Sequence, residues 1–356
     1  MDILRENKWR VNRLGHFPEI ADRWDAINCS AAASPVLESD FVEPLLDSFG
    51  HGGVHIAQLG PDNAPLALAL VEKRGVGRWA TFQPSQAPIG LWVCRPGAEP
   101  GMVAEALVPV LPGYVAMLDV TRIDPDLYPR PRDTPRLFPM DYIPTSRIVV
   151  EGDYEAFWSA RSRNTRQNLK RQRNRLDREG VVTRLEVVTD PLKMEEVVED
   201  YGTLESSGWK GEQGTAVALD NAQGQFYLEM MRRFATRSRA VAFRYWYNTK
   251  LAAMDLCVHN GRTMVILKTA YNESLKGSSP GMLMHQEIFE WIFTNRMVAV
   301  IEFYGRTLDW HRKWTHDQRS LYHMSVYRHT VFRFLHRDLL DRGQEGNRKP
   351  SSEAKK

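Results

Sequence analysis

Residues 240–271 constrain the fold of this chain more than any other stretch. Ala240 to Tyr247 (AVAFRYWY), Leu251 to Val258 and Thr263 to Tyr271 are three runs of strand length, rich in apolar, aromatic and β-branched residues. A turn at Asn248, Thr249 and Lys250 separates the first two. His259-Asn260-Gly261-Arg262 separates the second from the third, and Asn-Gly supplies the positive φ that a tight hairpin needs. The pattern predicts an antiparallel meander. A loop and a helix from about Pro280 to Asn295 follow, because Met284, Ile288, Trp291 and Ile292 recur at helical spacing and mark one buried stripe. Val298 to Tyr304 (VAVIEFY) then reads as a buried strand.

The first half repeats that order. Val54 to Leu59 and Leu66 to Lys73 flank a Pro-Asp-Asn turn, and Arg78 to Gln83 is a third strand. A helix at about Met102 to Leu111 precedes a strand at Tyr114 to Val120. The two halves therefore read as related α/β units, a pseudo-repeat with negligible residue identity. Between them, Asp124 to Thr145 carries six prolines, which remove backbone donors and predict an extended connector rather than a sheet strand. The expected division is an N-terminal unit over 1–123, a connector over 124–150, a C-terminal unit over 151–342 that includes a basic helix at 157–178, and a polar, disordered tail over 343–356.

Bulk properties exclude several classes. At 356 residues the chain has room for two domains and a sizeable core. Its 43% hydrophobic and 26% charged content is ordinary for a globular protein. A net charge of +3 is too small to imply a nucleic-acid partner by itself. No apolar run reaches the length of a membrane span, and MDILRENKWRVNRLG lacks the apolar core of a signal peptide. Cys29, Cys94 and Cys257 are odd in number and lack metal spacing. Three buried thiols, no metal site and a reduced cytoplasmic location are expected.

Two motifs carry chemistry. Glu205 to Ala216 (ESSGWKGEQGTA) gathers Gly, Lys, Glu, Gln and Thr around one Trp without a hydrophobic period, a poor way to build a core. Lys268 to Gly281 (KTAYNESLKGSSPG) leaves an apolar strand and ends on Ser-Pro-Gly at the start of the 280s helix. Ser279 is expected to cap that helix, and Pro280 suits its first position because it needs no donor there. The remaining N–H groups and the positive end of the helix dipole suit an anion such as a pyrophosphate, with Lys276 adding charge. Plain capping is the alternative. A third feature is the charge run Arg161 to Arg178, with eight basic residues against Asp177 and with Leu169 and Leu176 seven apart. It reads either as a solvated helix face or as a face for phosphates, a carrier protein or RNA. Few aromatics interleave its arginines, so stacking on single-stranded nucleic acid is poorly supported.

Taken in order, these features resemble the GNAT acyltransferase fold, and more narrowly the CelD/BcsL group of GNAT-like proteins, distant relatives of the Fem-type peptidyl transferases. The residues that carry the resemblance are RNTRQNLKRQRNRL around Leu169, Glu205 to Ala216, KTAYNE at Lys268 to Glu273, SPG at Ser279 to Gly281, and GRTLDWHRKW at Gly305 to Trp314. It covers Tyr154 to Arg328. In the first half only the architecture matches. The resemblance implies tandem GNAT-like units with mixed, mostly antiparallel sheets. It also implies an acyl-coenzyme A or acyl carrier protein thioester as donor, held by Lys276, Ser279, Pro280, Gly281 and Met282. The acceptor would be a small molecule, a glycan or a lipid-linked intermediate in polysaccharide or envelope synthesis. The basic helix would be the docking face of an acyl carrier protein.

GNAT-type chemistry is direct attack of an amine on a thioester carbonyl, which needs positioning, a proton acceptor and support for the oxyanion. Asp255, in the otherwise apolar LAAMDLCV, is either salt-bridged or functional. Glu205 and Lys210 flank Trp209, and Lys268 ends an apolar strand; any pair of these can also form a buried ion pair with no catalytic duty. Tyr271 and Tyr304 lie at strand ends, where either can donate to an oxyanion or protonate a thiolate, with core packing the plainer role for Tyr304. One departure from the family stands out. Its last motif usually carries Tyr-Lys, where this chain has Trp310 and His311. His311 replaces that lysine only when protonated, serves as a base, or is an ordinary surface residue, while Arg312 or Lys313 takes over the charge. Aminoacyl transfer from charged tRNA and a catalytically inactive binding protein are the competing readings.

Overall fold

The computed structural model describes residues 7–31, 33–206 and 216–336. The N-terminal half contributes β1 (Trp9–Arg13), α1 (Pro18–Ala31), α2 (Ser39–Phe49), β2 (Val54–Leu59), β3 (Ala67–Gly75), β4 (Arg78–Thr81), β5 (Trp92–Cys94), α3 (Pro100–Leu107) and β6 (Met117–Ile123). After β7 (Leu137–Val149) come α4 (Tyr154–Ser159), α5 (Arg163–Arg178), β8 (Thr183–Val188), α6 (Met194–Ser206) and α7 (Ala222–Thr236). The meander is β9 (Ala240–Tyr247), β10 (Lys250–His259) and β11 (Thr263–Tyr271), followed by α8 (Pro280–Asn295), β12 (Val300–Glu302), α9 (Asp309–Arg312) and β13 (Gln318–Tyr327). Among the described residues the strands form one mixed sheet in the order β1-β2-β3-β4-β6-β13-β7-β12-β11-β10-β9-β8, with β5 on β3. No described helix is long and apolar enough to cross a membrane.

Both halves follow one plan, and the reason is geometric. Two meanders are closed by hairpins, so their strands pair antiparallel. β4 with β6 and β11 with β12 are parallel, and a parallel pair needs a crossover across one face. The helices α3 and α8 are those crossovers. Side-chain alternation then sorts the core. Leu68 and Leu70 of β3, with Ala240 and Ala242 of β9, face one continuous core shared with α1, α2, α6 and α7. Ala67, Ala69 and Val71 face a second core under α3, while Val241, Phe243 and Tyr245 face a third under α8.

The last strands are exchanged between the halves. β7 follows the first unit yet pairs with β12 of the second, and β13 follows the second yet pairs with β6 of the first. β7 and β13 also pair with each other over nine positions, from Gln318 opposite Ser146 to Val326 opposite Leu137. At this crossing Arg319 forks onto the buried carboxylate of Asp124 at 2.7 and 2.5 Å and reaches Glu302 Oε1 at 3.0 Å. Burial pushes the Glu302 carboxyl up to about 7 against the pull of Arg319.

Four expectations are corrected. The proline-rich stretch is not merely a connector, because residues 137–149 are a sheet strand. Pro139 and Pro144 are tolerated because this part of β7 pairs on one side only, with β13. The bulge that leaves Tyr142 unpaired shifts the phase between them, so both ring nitrogens face away from the ladder. The basic helix starts at Arg163 and not at 157, because the chain breaks after α4 and Ser162 caps α5 by accepting the Thr165 N–H at 3.1 Å. Leu169 and Leu176 form its buried seam as the spacing predicts. Cys94 and Cys257 are buried, but Cys29 is exposed, on the side of α1 away from inward-facing Trp24, Ile27 and Asn28. Finally, Ser279 does not cap α8 with its side chain. The expected tail over 343–356 lies outside the described residues.

Replacing Arg319 with Met leaves Asp124 and Glu302 buried without their cation, which costs about 3–5 kcal/mol. Equilibrium denaturation of Arg319→Met against the parent protein measures this, and a loss below about 1 kcal/mol would show that the junction behaves like a surface ion pair.

Candidate active site

The site begins where a strand pair stops pairing. β11 and β12 are matched only over Thr263–Val265 with Val300–Glu302. Beyond Glu302 the chain turns sharply: the Gly305 N–H donates to the Phe303 carbonyl at 2.6 Å, and Tyr304 adopts φ 49°. A bulky residue in the left-handed region is uncommon and marks a conformation that the surroundings impose. β11 therefore runs on from Ile266 with no strand partner on that side among the described residues. A bulge at Leu267, where Leu256 opposes Lys268 and Cys257 opposes Ile266, re-aims its side chains further. The result is a cleft of about 720 Å³ between β11, the start of α8 and residues 303–311.

The entry of α8 forms one wall. Ser279 sits at φ 55°, ψ 52°, and its carbonyl, not its hydroxyl, accepts the Met282 and Leu283 N–H groups at 3.0 and 3.1 Å. Its strained backbone swings the helix start into the cleft, where Lys276, Ser279, Pro280, Gly281 and Met282 all line the surface. A Cβ added at Gly281 would meet no atom within 4 Å, so this position opens onto free space. A sixteen-residue helix whose half-buried first turn lines the cleft, with a lysine beside it, fits a phosphate group.

Deeper in the cleft is a pair that the sequence half disclosed. Asp255 is 0% exposed, and its Oδ2 lies 3.0 Å from Nε2 of His285, which is 2% exposed. A carboxylate at that distance holds the proton on Nε2 and leaves the lone pair on Nδ1, which has no hydrogen-bond partner among the described residues. Asp255 Oδ1 is likewise buried without a partner. The imidazole lies parallel between Phe289 and Trp310, at centroid distances of 5.6 and 5.0 Å. Trp310 in turn stacks on His311 at 3.6 Å.

His311 corrects the expectation of a surface residue: it is 5% exposed and lines the cleft. Burial, and then the neighbouring His285, push its pKa down from 6.5 to about 4. At neutral pH it is uncharged and does not replace a lysine. Its Nδ1 accepts the Leu308 N–H at 2.9 Å, so Nε2 carries the proton and His311 is a neutral donor rather than a base.

The remaining candidates sort by position. Tyr271 lines the cleft and is 44% exposed. Lys268 lines it too, with Nζ 3.5 Å from Glu205 Oε1 and above the rings of Tyr201 and Tyr227. Glu205 does not reach the surface of the cleft; its Oε2 accepts the Val217 N–H at 2.9 Å and so also holds the chain that returns at Val217. Lys210 lies outside the described residues. Tyr304 is buried in the core shared by both halves, the plainer of its two expected roles. Sequence reading missed His285, hidden beside Met284 in an apolar helix. The signal for it was Asp255, a buried acid whose partner had to exist. Among the described residues no group of three or more His, Cys, Asp or Glu side chains could hold a metal ion.

Residues 163–312 match the family described as an acetyltransferase (GNAT) domain. This stretch, which holds the meander, crossover helix and diverging strand, is thus similar to a GNAT acyltransferase domain. Solved structures share the fold well beyond it. One is the C-terminal domain of a protein described as a lysylphosphatidylglycerol synthetase from Agrobacterium fabrum, with TM-score 0.55 and 13% identity over 91% of this chain and 96% of that one. FemX aligns with TM-score 0.54 and 8% identity over 92% and 99%. A conserved protein of unknown function from Bacteroides thetaiotaomicron aligns with TM-score 0.56 and 10% identity over 89% and 99%. At such identity the likeness is one of fold. No curated protein matches the sequence.

His311 and His259 are both held near pKa 4 chiefly by burial, against 6.5 when exposed. Between those values the unfolded chain binds more protons at these two sites, so their contribution to stability is lost as pH drops from about 6.5 to 4, while the buried Glu38 and Glu302, held near 7, contribute in the opposite direction. As pH drops across that window, the denaturation midpoint of the parent protein should move downward relative to that of His311→Gln, in which one of the two histidine contributions is removed. An identical pH dependence in the variant would show that His311 is not held neutral.

Proposed function

We propose that the protein transfers an acyl group from an acyl-coenzyme A thioester to an amine or hydroxyl. The observation that carries this reading is the juxtaposition, in one cleft inside the GNAT domain, of the α8 N-terminus with the Asp255–His285 pair and His311. The donor supplies an activated carbonyl. Lys276 and the N–H groups around Gly281 hold its phosphates. The unpartnered edge of β11 offers peptide donors and acceptors to the amide-bearing arm.

The residues divide the chemistry by their protonation. His285, oriented by Asp255, takes the proton of the attacking amine on Nδ1 as the C–N bond forms. His311 donates Nε2–H to the carbonyl oxygen as negative charge develops there. The C–S bond breaks, and the proton held by His285 passes to the sulfur, with Tyr271 the alternative donor. The step needs no net proton and no oxidant.

Acceptors in polysaccharide or envelope synthesis fit the CelD/BcsL resemblance. A second reading keeps the donor macromolecular, as an acyl carrier protein or charged tRNA. It is favoured by the face of α5, where Lys170, Arg171 and Arg178 flank an open groove. Binding to that face should weaken steeply with salt.

Calorimetric titration with coenzyme A, acetyl-coenzyme A and a long-chain acyl-coenzyme A tests the donor. Saturable binding is expected, with at least a tenfold loss in Gly281→Glu, whose carboxylate enters the space meant for phosphate. Retained affinity in that variant moves the anion site elsewhere. With acetyl-coenzyme A as donor, His285→Gln should lower turnover about 10²–10⁴-fold. His311→Ala should lower it about 10²–10³-fold, and His311→Gln less, because the amide keeps a donor. Equal losses in Ala and Gln variants would remove His311 from the oxyanion role.

A further inference from the structure

A second cavity, of about 380 Å³, meets the first through the sheet. The two share Ile266, Leu267, Lys268, Phe303 and Gly305, the residues on both sides of the gap where β11 and β12 part. The first cavity opens on the α8 side. The second opens on the side of α7, against Tyr227, and its far wall comes from the N-terminal half. A thioester carbonyl lodged in the gap is thus reachable from the opposite face.

The far wall is built by two irregularities in neighbouring strands. In the pairing of β6 with β13, Tyr322 opposes Ile123 and Met324 opposes Val120, so β6 has two residues where β13 has His323 alone. One of them, Arg122, takes φ 50°. In the pairing of β7 with β13, Leu321 opposes Ile143 and Tyr322 opposes Asp141, which leaves Tyr142 as an extra residue. Bulges re-aim side chains, and both of these turn theirs into the cavity. His323, between them, ties the pair together. Its Nδ1 accepts the Arg122 N–H at 3.0 Å, its ring lies 4.3 Å from that of Tyr142, and the Arg122 guanidinium sits 5.6 Å above the Tyr142 ring.

Charge gives the chemistry. Among the described lining residues the charged ones are Arg122 and Lys268, both cationic; Glu205 meets Lys268 from outside the lining at 3.5 Å, which leaves Arg122 as the cation that no described carboxylate pairs with. Arg122 donates Nη1–H to the Ala87 carbonyl at 2.7 Å, and its other guanidinium nitrogens have no partner among the described residues. A fixed guanidinium with unused donors suits a carboxylate or phosphate better than a neutral group. The volume is that of a small-molecule site.

Building on the acyl-transfer reading, we infer that this second cavity binds the acceptor, a small amine or hydroxyl compound bearing a carboxylate or phosphate that Arg122 anchors. The N-terminal half supplies acceptor specificity, and the reacting nitrogen or oxygen meets the thioester through the gap at Gly305 and Lys268.

The test follows coenzyme A release from acetyl-coenzyme A with three matched amines: ethanolamine, β-alanine and 2-aminoethyl phosphate. At least a tenfold higher kcat/KM is expected for one of the anionic amines, and which one it is separates carboxylate from phosphate. Arg122→Gln should raise KM for that amine at least tenfold with a smaller change in kcat, and Arg122→Lys should recover part of the loss. Equal use of ethanolamine, an unmoved KM in Arg122→Gln, or turnover of none of the three by protein that binds coenzyme A overturns the inference. Failure to bind coenzyme A in the parallel titration would instead overturn the donor reading. Retention of that binding by Arg122→Gln confirms that the variant is folded.

Discussion

Both cavities at the centre of this molecule depend on β12 ending at Glu302. Had the parallel pairing with β11 continued, the sheet would be closed and neither cavity would exist. The end is enforced by charge. Arg319, from the exchanged strand β13, holds Asp124 and Glu302 together, and its guanidinium lies 5.6 Å over the ring of left-handed Tyr304. Burying a guanidinium and two carboxyl groups is expensive unless they meet one another, and in the arrangement that brings them together the chain turns away from β11.

The exchange of β7 and β13 follows the same logic at larger scale. Each strand completes the sheet of the other half, and the helices α1, α2, α6 and α7 cover one core that spans both. The halves are thereby held in one register across the junction. That register brings Arg122 of β6 and Tyr142 of β7 to the back of a gap whose front belongs to the second half.

Much of the fold was legible in the sequence, for local reasons. The β9-β10-β11 meander, its Asn-Gly turn, the α8 stripe and the repeated order in the first half all come from alternation and turn chemistry, which act over a few residues. The helix start at Pro280 was legible too, although its cap differs from the expected one: Ser279 contributes a left-handed backbone and a carbonyl rather than a hydroxyl. β7 was not legible, because prolines argue against a strand unless one edge is free. That freedom depends on a neighbour 170 or more residues away in sequence. His285 was invisible for a related reason, since one histidine in an apolar helix has meaning only beside Asp255.

The sequence by itself determined the elements and the chemical inventory: two strand-helix-strand units, a glycine-opened helix start, an acid in an apolar strand and a histidine where the resemblance leads one to expect lysine. Only the tertiary structure decided what those groups are. Burial against Phe303 and Trp310 makes His311 a neutral donor, Asp255 gives His285 its tautomer, and two bulges turn Arg122 and Tyr142 into one cavity. Protonation and direction depend on dielectric and on neighbours across the sheet, and neither is a property of a residue alone.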